Sequence, residues 1–337
     1  MIPVSSCLLQ GNEKKYLCEA IDSGEVSGSG RFVREFETAF AKWTGTRYAV
    51  AVCNGTCALE TAVWAKGMKV INIPTGTIIS CFASAMRAGC DIGFRDFGDT
   101  LSYRNIMRVH LFGSIDPAQG FNVVDDCSQY WDKFEHTQIS CYSLYANKLI
   151  TAGEGGVIVT NNKAHYEYCK LYRNLGHSSV RFVHDFKGYN FRMSNLQGAV
   201  ALAQLEQIDK HIEIKQRNRD LYLKYLPDGV EEMFNVKVPW MYIVATKYPA
   251  KDIIERLLAK GIGCRSYFFP LHLQPCIEGK DLVGADFPRA EWMWNYAFYL
   301  PSGLTLTEKE IIKICRSLKG IVKSMSSSTK ASRTKKK

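Results

Sequence analysis

The sequence predicts an α/β fold: a large domain with a mostly parallel central sheet, and a smaller C-terminal α/β domain. Two observations carry this. Over the first half, short β-rich runs alternate with helical stretches, the pattern of a largely parallel sheet covered by helices. Then a capped helical pattern begins at Ser194, and a shorter strand-and-helix series follows it. A chain of 337 residues can bury a sizeable core and divide it between two packed units.

In chain order the predicted strands are Tyr48–Cys53, Lys69–Ile73, Met107–Phe112, Phe121–Asp125, Gln138–Tyr142 and Gly156–Thr160, with a helix over Thr56–Lys66. Ser194-Asn-Leu-Gln197 has the form of a capping box, and Leu196, Val200, Ala203, Ile208 and Ile212 follow at roughly helical spacing. One long helix is therefore expected to lead into the small domain. There, Lys237–Ala245 reads as a strand and Ala250–Lys260 as a helix stopped by Gly261. Thr307–Lys319 reads as a last helix, started by Thr307-Glu-Lys-Glu310. The expected divisions are 1–209, 210–322 and a tail, 323–337.

The net charge of +10 comes largely from that tail, which carries six Lys and Arg and no acid; the remainder carries +4. Being rich in Ser, Thr and Lys, the tail is expected to be disordered, and a solvated tail is favoured over a nucleic-acid-binding one. No apolar run is long enough to span a bilayer, and Met1-Ile-Pro-Val-Ser-Ser does not read as a signal peptide. The twelve cysteines show no C-x-x-C pair and no metal-type spacing with histidine, so reduced thiols in a cytoplasmic protein, without a metal, are expected.

The chemistry is concentrated around Lys148. Ser143 precedes it, Gly153-Glu-Gly-Gly156 follows, and upstream the run Phe121-Asn-Val-Val ends in Asp125-Asp126, with Gln129 three residues on. A pyridoxal phosphate site needs these parts. A lysine holds the aldehyde, an aspartate keeps the pyridine nitrogen protonated so that the ring is an electron sink, and a hydroxyl binds the phosphate. Asn54-Gly55-Thr56 follows a strand and opens a helix, where N–H groups favour an anion and glycine permits close approach. Each feature alone is weak: a strand-end acid is often only a cap.

Taken together, these segments resemble the DegT/StrS group of pyridoxal-phosphate-dependent sugar-nucleotide aminotransferases, over about Ile2 to Lys319. The similar segments are Ser23-Gly-Glu-Val-Ser-Gly, Phe36-Glu, Asn54-Gly-Thr-Cys-Ala-Leu, Val109-His-Leu-Phe-Gly and Asp125-Asp-Cys-Ser-Gln. They continue through Ser143 to Lys148, Gly153-Glu-Gly-Gly, Gly188-Tyr-Asn-Phe-Arg-Met-Ser-Asn-Leu-Gln, Pro270-Leu-His-Leu-Gln-Pro and Leu300-Pro301. The resemblance implies the fold type I of pyridoxal-phosphate-dependent transferases. It implies Lys148 as the residue that holds the cofactor and moves the proton, Asp126 at the ring nitrogen, Gln129 at the ring hydroxyl, and Gly55, Thr56 and Ser143 at the phosphate. Asn190 would reach the neighbouring subunit's phosphate in a homodimer. Arg192 would take the donor carboxylate, and His272 would lie by the substrate. His110, Tyr189 and Phe191 read as structural, and Glu154 as closing a turn.

Two departures stand out. Where the family usually stacks an aromatic on the pyridine ring, this chain has Ile78. The stretches Asp96–Val109 and Gly113–Phe121 are shorter than usual, so a peripheral helix is expected to be missing. The implied activity is transfer of an amine from glutamate to a nucleotide-linked 4-keto-6-deoxyhexose. A 3-keto substrate and a non-catalytic regulatory descendant are the alternatives, and Lys148 argues against a dehydratase.

Overall fold

The structure is a computed structural model that describes residues 1–132, 138–180, 182–277 and 286–334. The large sheet has seven strands: β1 (Tyr48–Val52), β2 (Val70–Pro74), β3 (Asp91–Arg95), β4 (Ser102–Val109), β5 (Gln119–Asp126), β6 (Ile139–Ser143) and β7 (Gly156–Thr160). Their order is β1-β7-β6-β5-β4-β2-β3. Only β7 runs against its neighbours, β1 and β6. Helices α3 (Gly55–Ala65), α4 (Ile79–Arg87) and α5 (Lys163–Arg173) cover one face; α1 (Glu13–Asp22), α2 (Arg31–Thr44) and α6 (Asn195–Leu205) cover the other. The run Val50–Val52 with Val157–Val159 is buried on both faces, as a covered parallel sheet requires.

All six predicted strands of the large sheet are present. The edge strand β3 was missed because Gly93 breaks its short apolar run, and a Cβ there would meet Asn72 Oδ1 at 2.5 Å. The run predicted through Phe112 stops at Val109, and Leu111–Gly113 forms a single 3₁₀ turn with φ of 55° at Phe112. The expected missing helix shows between β4 and β5. These parallel neighbours are joined by residues 110–118 alone, where a crossover helix is usual. On the same strands an asparagine ladder satisfies itself: Asn122 Nδ2 donates to Asn105 Oδ1 (3.0 Å), and Asn105 Nδ2 to Val70 O (2.9 Å).

The predicted long helix is two. Helix α6 begins at the Ser194–Gln197 capping box, ends at Leu205, and is followed by α7 (Ile208–Tyr225). The apolar spacing slips at the break, Glu206–Gln207. The small domain is a four-stranded antiparallel sheet, β8 (Val230–Glu232), β9 (Tyr242–Thr246), β10 (Arg265–Ser266) and β11 (Ala297–Leu300), in the order β10-β11-β9-β8. Helices α7, α8 (Ala250–Ala259), α9 (Pro288–Tyr296) and α10 (Glu308–Thr334) pack around it. Helix α8 ends before Gly261, whose φ is +73°.

Two of the expected divisions need correction. Residues 1–6 belong with the small domain: Gly263 N donates to Ile2 O (2.8 Å), Ser302 N to Val4 O (2.9 Å), and Ile2 is buried in the small-domain core. The tail expected to be disordered from 323 is helical to Thr334. Its composition is polar, but Leu318, Ile321, Val322 and Met325 continue the helical spacing and are buried, and Ser326 Oγ bonds Tyr248 Oη at 2.8 Å. Residues 335–337 lie outside the described residues.

Candidate active site

The large-domain side of the cleft is assembled from the C-terminal ends of strands, where parallel sheets place their ligands. Strand β5 ends in Asp126 and β6 in Ser143. The turn after β6 carries Lys148, whose N–H bonds Tyr145 O (2.9 Å), and helix α3 begins at Gly55 directly beyond β1. Gly55, Thr56, Ile78, Asp126, Gln129, Ser143 and Lys148 line one cavity of about 690 Å³, so seven of the ten expected residues converge.

An anion cup lies at the mouth of α3. Asn54 Oδ1 accepts from Cys57 N (2.9 Å) and caps the helix, which leaves the Gly55 and Thr56 N–H groups at its positive end. A Cβ on Gly55 would stand 2.8 Å from Ser143 Cβ, so only glycine lets the helix mouth meet the serine. A Cβ on Gly156 would stand 2.4 Å from Asn54 O. The glycine cluster after Lys148 thus keeps β7 clear of the same turn.

Asp126 is buried. Its Oδ1 accepts from Ser128 N (2.9 Å) and its Oδ2 from the Cys81 thiol (3.3 Å). The adjacent Asp125 points to the opposite face, as strand alternation dictates. There Arg108 (2.7 Å) and His110 (3.1 Å) pair with it and hold its carboxyl below the usual range against the opposing effect of burial. His110 is structural, as read from the sequence. Gln129 Oε1 accepts from Phe112 N (2.9 Å), which leaves its amide nitrogen as the group offered to the cleft.

Burial lowers the Lys148 pKa to about 8, with Asp126 and Cys81 acting the other way. Its Nζ lies 4.6 Å from the centre of the Trp240 ring, and Trp240 is itself held by its Nε1 donating to Asn147 O (2.9 Å). An amine of lowered pKa, a buried carboxylate and an anion cup that a Cβ would fill suit one ligand: an aromatic aldehyde with a ring nitrogen at one end and a phosphate at the other. The residues present fit pyridoxal phosphate.

Three expected residues are not in this cleft. Arg192 Nη1 donates to Asn174 Oδ1 (2.7 Å). Asn190 is exposed and lines no part of the cavity of its own chain. His272 is a satisfied loop histidine: Nδ1 bonds Thr75 Oγ1 (2.6 Å), Nε2 bonds Glu291 Oε1 (3.2 Å), and Phe287 packs on its ring. Tyr189 and Phe191 stack on each other, and Glu154 lines the cavity beside its turn. Sequence reading missed the opposite wall, Trp240, Arg265, Phe268 and Tyr299. These residues are brought together by the small-domain sheet and have no shared spacing. Among the described residues no acidic, cysteine and histidine cluster could hold a metal ion.

Residues 8–319 match the DegT/DnrJ/EryC1/StrS aminotransferase family. The chain is 32% identical to the GDP-perosamine synthase of Escherichia coli O157:H7, over 94% of this chain and 97% of that protein. It is 30% identical to the GDP-perosamine synthase of Vibrio cholerae, over 95% and 98%. Its fold is similar to that of Helicobacter pylori PseC, an aminotransferase involved in the biosynthesis of pseudoaminic acid, with a TM-score of 0.87 over 96% of this chain and 99% of that one at 19% identity.

Proposed function

The chain belongs to the DegT/DnrJ/EryC1/StrS aminotransferase family, and we propose that it moves an amine from glutamate to the 4-keto carbon of a nucleotide-linked 6-deoxyhexose. It is a pyridoxal-phosphate-dependent aminotransferase. The observation that carries the reading is the convergence of Lys148, Asp126, Ser143 and the α3 mouth on one cavity. The resemblance to two GDP-perosamine synthases over nearly their whole length supports the sugar class.

When bound, pyridoxal phosphate supplies an aldehyde that exchanges amines and a ring that accepts electrons. Gly55, Thr56 and Ser143 hold its phosphate by N–H and O–H donation. Asp126, shielded from water, keeps a proton on the ring nitrogen. Gln129, fixed through Phe112, offers its amide to the ring hydroxyl. Ile78 lines the same cavity, at the position where the resemblance places an aromatic.

Lys148 would hold the cofactor, and its amine, once free, would move a proton at the substrate carbon. Its pKa of about 8 suits that task, because near neutrality both the amine and the ammonium are accessible. Arg192 and His272 do not line the cleft of their own chain. Asn190 is exposed, which leaves it available for the proposed contact with a second subunit of a homodimer. No helix among the described residues is long and apolar enough to cross a membrane; the proposed setting is cytoplasmic.

Purified protein, glutamate and UDP-, GDP- or dTDP-linked 4-keto-6-deoxyhexoses test the reading, with 2-oxoglutarate and the aminosugar followed by mass. One nucleotide series is expected to be aminated. Borohydride should fix the cofactor on Lys148, and Lys148→Ala should take no label. Amination of 3-keto sugars alone would refute the proposed keto position, and a protein without bound cofactor would refute the whole reading.

A further inference from the structure

Two thiols flank the anion cup. Cys53 directly precedes the Asn54 cap and Cys57 is the third residue of α3, so Gly55 and Thr56 lie between them. A residue before an N-cap folds back onto the first turn of its helix. Here the Cys57 thiol donates to the Cys53 sulfur, and Asn54 Nδ2 approaches the same sulfur at 3.7 Å. Both cysteines are half-buried, and Cys57 lines the cleft beside Asn54, Gly55 and Thr56. Neither thiol has a part in the proposed amine transfer. The bond from Cys57 draws the Cys53 thiol down to about 7, with the N–H groups of Cys53 and Asn54 contributing, although burial opposes them. Cys57 is pushed up by the same bond and by burial. Burial pushes the thiols of Cys81, Cys127, Cys141 and Cys169 up as well, so Cys53 stands apart as a nucleophile near neutral pH.

We propose that Cys53 and Cys57 form a modification site that takes a hydroperoxide and closes to a disulfide, and that the closed bridge and the cofactor phosphate exclude each other. The exclusion rests on the pyridoxal phosphate reading above; the bridge does not. The Cys53 thiolate attacks a peroxide oxygen, the O–O bond breaks, and the leaving oxygen takes its electron pair and a proton from solvent to give water or an alcohol. Cys53 is then a sulfenic acid. The Cys57 sulfur attacks the Cys53 sulfur, the S–O bond breaks, and the hydroxyl leaves as water with the Cys57 thiol proton. The two thiols have lost two electrons, which the peroxide has gained. A disulfide holds its sulfurs at about 2.05 Å, closer than hydrogen-bonded sulfurs stand, so closure tightens the turn around Gly55 and Thr56. That turn has no slack. A Cβ on Gly55 would meet Ser143 Cβ at 2.8 Å, and one on Gly156 would meet Asn54 O at 2.4 Å. The N–H groups at the helix mouth lose their aim when the bridge closes, and a seated phosphate holds the thiols apart. Linkage makes the two effects equal: the factor that the bridge removes from cofactor affinity is the factor that the cofactor removes from bridge formation.

The test exposes holoenzyme and cofactor-free protein to hydrogen peroxide, blocks free thiols with N-ethylmaleimide and cuts with trypsin. Cys53 and Cys57 fall together, without another cysteine, in the peptide Tyr48–Lys66. Cofactor-free protein should yield that peptide unblocked and lighter by two hydrogen atoms, ahead of any change at the exposed Cys7, Cys18 and Cys276, and dithiothreitol should reverse it. Saturating pyridoxal phosphate should slow closure about tenfold, and the bridged protein should bind pyridoxal phosphate more weakly by a similar factor, read by absorbance on titration. Cys57→Ser should stop at the Cys53 sulfenic acid, trapped by dimedone. In Cys53→Ser, peroxide should leave the cofactor affinity of the variant where it was, with circular dichroism confirming its fold. A parent peptide that keeps two blockable thiols, or carries a sulfinic acid on Cys53 in place of the bridge, overturns the site. Closure at the same rate with and without pyridoxal phosphate overturns the exclusion and leaves the bridge. If the parent binds no pyridoxal phosphate, the cofactor reading falls, and the mass of Tyr48–Lys66 still decides the bridge.

Discussion

On the large-domain wall of the cleft, the groups proposed to hold the cofactor sit on strand ends and a helix mouth: Asp126 on β5, Ser143 on β6, Gly55 at the start of α3. On the small-domain wall the groups are side chains from separate stretches, Trp240, Arg265, Phe268 and Tyr299. Backbone geometry sets the first wall; the second depends on how the small sheet is hung. Trp240 illustrates the hanging. The buried Lys215 amine of α7 donates to Trp240 O and Ser302 O, both at 2.6 Å, so a single side chain ties the inter-domain helix to the wall that faces Lys148. In the proposed reading the two walls divide the labour: the first holds the cofactor, and the second faces the substrate.

Substitutions on each wall can break this division. Asp126→Ala should have the largest effect, lowering turnover about a thousandfold for loss of electrostatic stabilisation at the ring, with KM for the nucleotide sugar little changed. Stopped-flow half-reactions with glutamate would show it; equal losses in KM and kcat would contradict the division. Gly55→Ala forces a Cβ against Ser143. It should cost about 1–3 kcal/mol of strain or an opened phosphate cup, read as weaker cofactor retention on dialysis.

Lys215 should make stability pH-dependent. Burial lowers its pKa to about 7 in the folded chain, so between there and its ordinary 10.5 the unfolded chain binds a proton that the folded chain has released. Stability therefore rises with pH across that window, by at most about 1.4 kcal/mol per pH unit. Urea melts of the parent and Lys215→Met should differ in this slope, with the variant flatter. Ile78→Phe should have the smallest effect, tightening the cofactor by about 0.5–1.5 kcal/mol through ring stacking. An unchanged cofactor dissociation constant would show that Ile78 is not beside the ring.

The same contrast explains what could be read in advance. Asp126 and the Asn54–Thr56 turn were legible because each sits at or just past a strand end whose period is local, Lys148 because it lies between Ser143, which ends β6, and a glycine cluster, and both capping boxes formed as their spacing predicts. Arg192 and His272 were placed by resemblance, and in this chain each has nearer polar partners. Residues 1–6 and the end of α10 were misread for one reason. Their place is decided by contacts with distant segments, Ile2 with Ile262 and Ser326 with Tyr248, which local composition does not reveal.

The nine-residue link between β4 and β5 bears on the order in which the protein folds. Closing it costs roughly 2 kcal/mol less chain entropy than the loop of about a hundred residues that separates β1 from β7. This pair can therefore form first, as a nucleus on which later strands dock. Pulse-labelled hydrogen exchange should find amides of β4 and β5 protected ahead of those in β1 and β7, and the reverse order would exclude such a nucleus. Asp126 ends one of these strands, so the acid of the cofactor site would be in place early, while the small-domain wall is still unfolded chain.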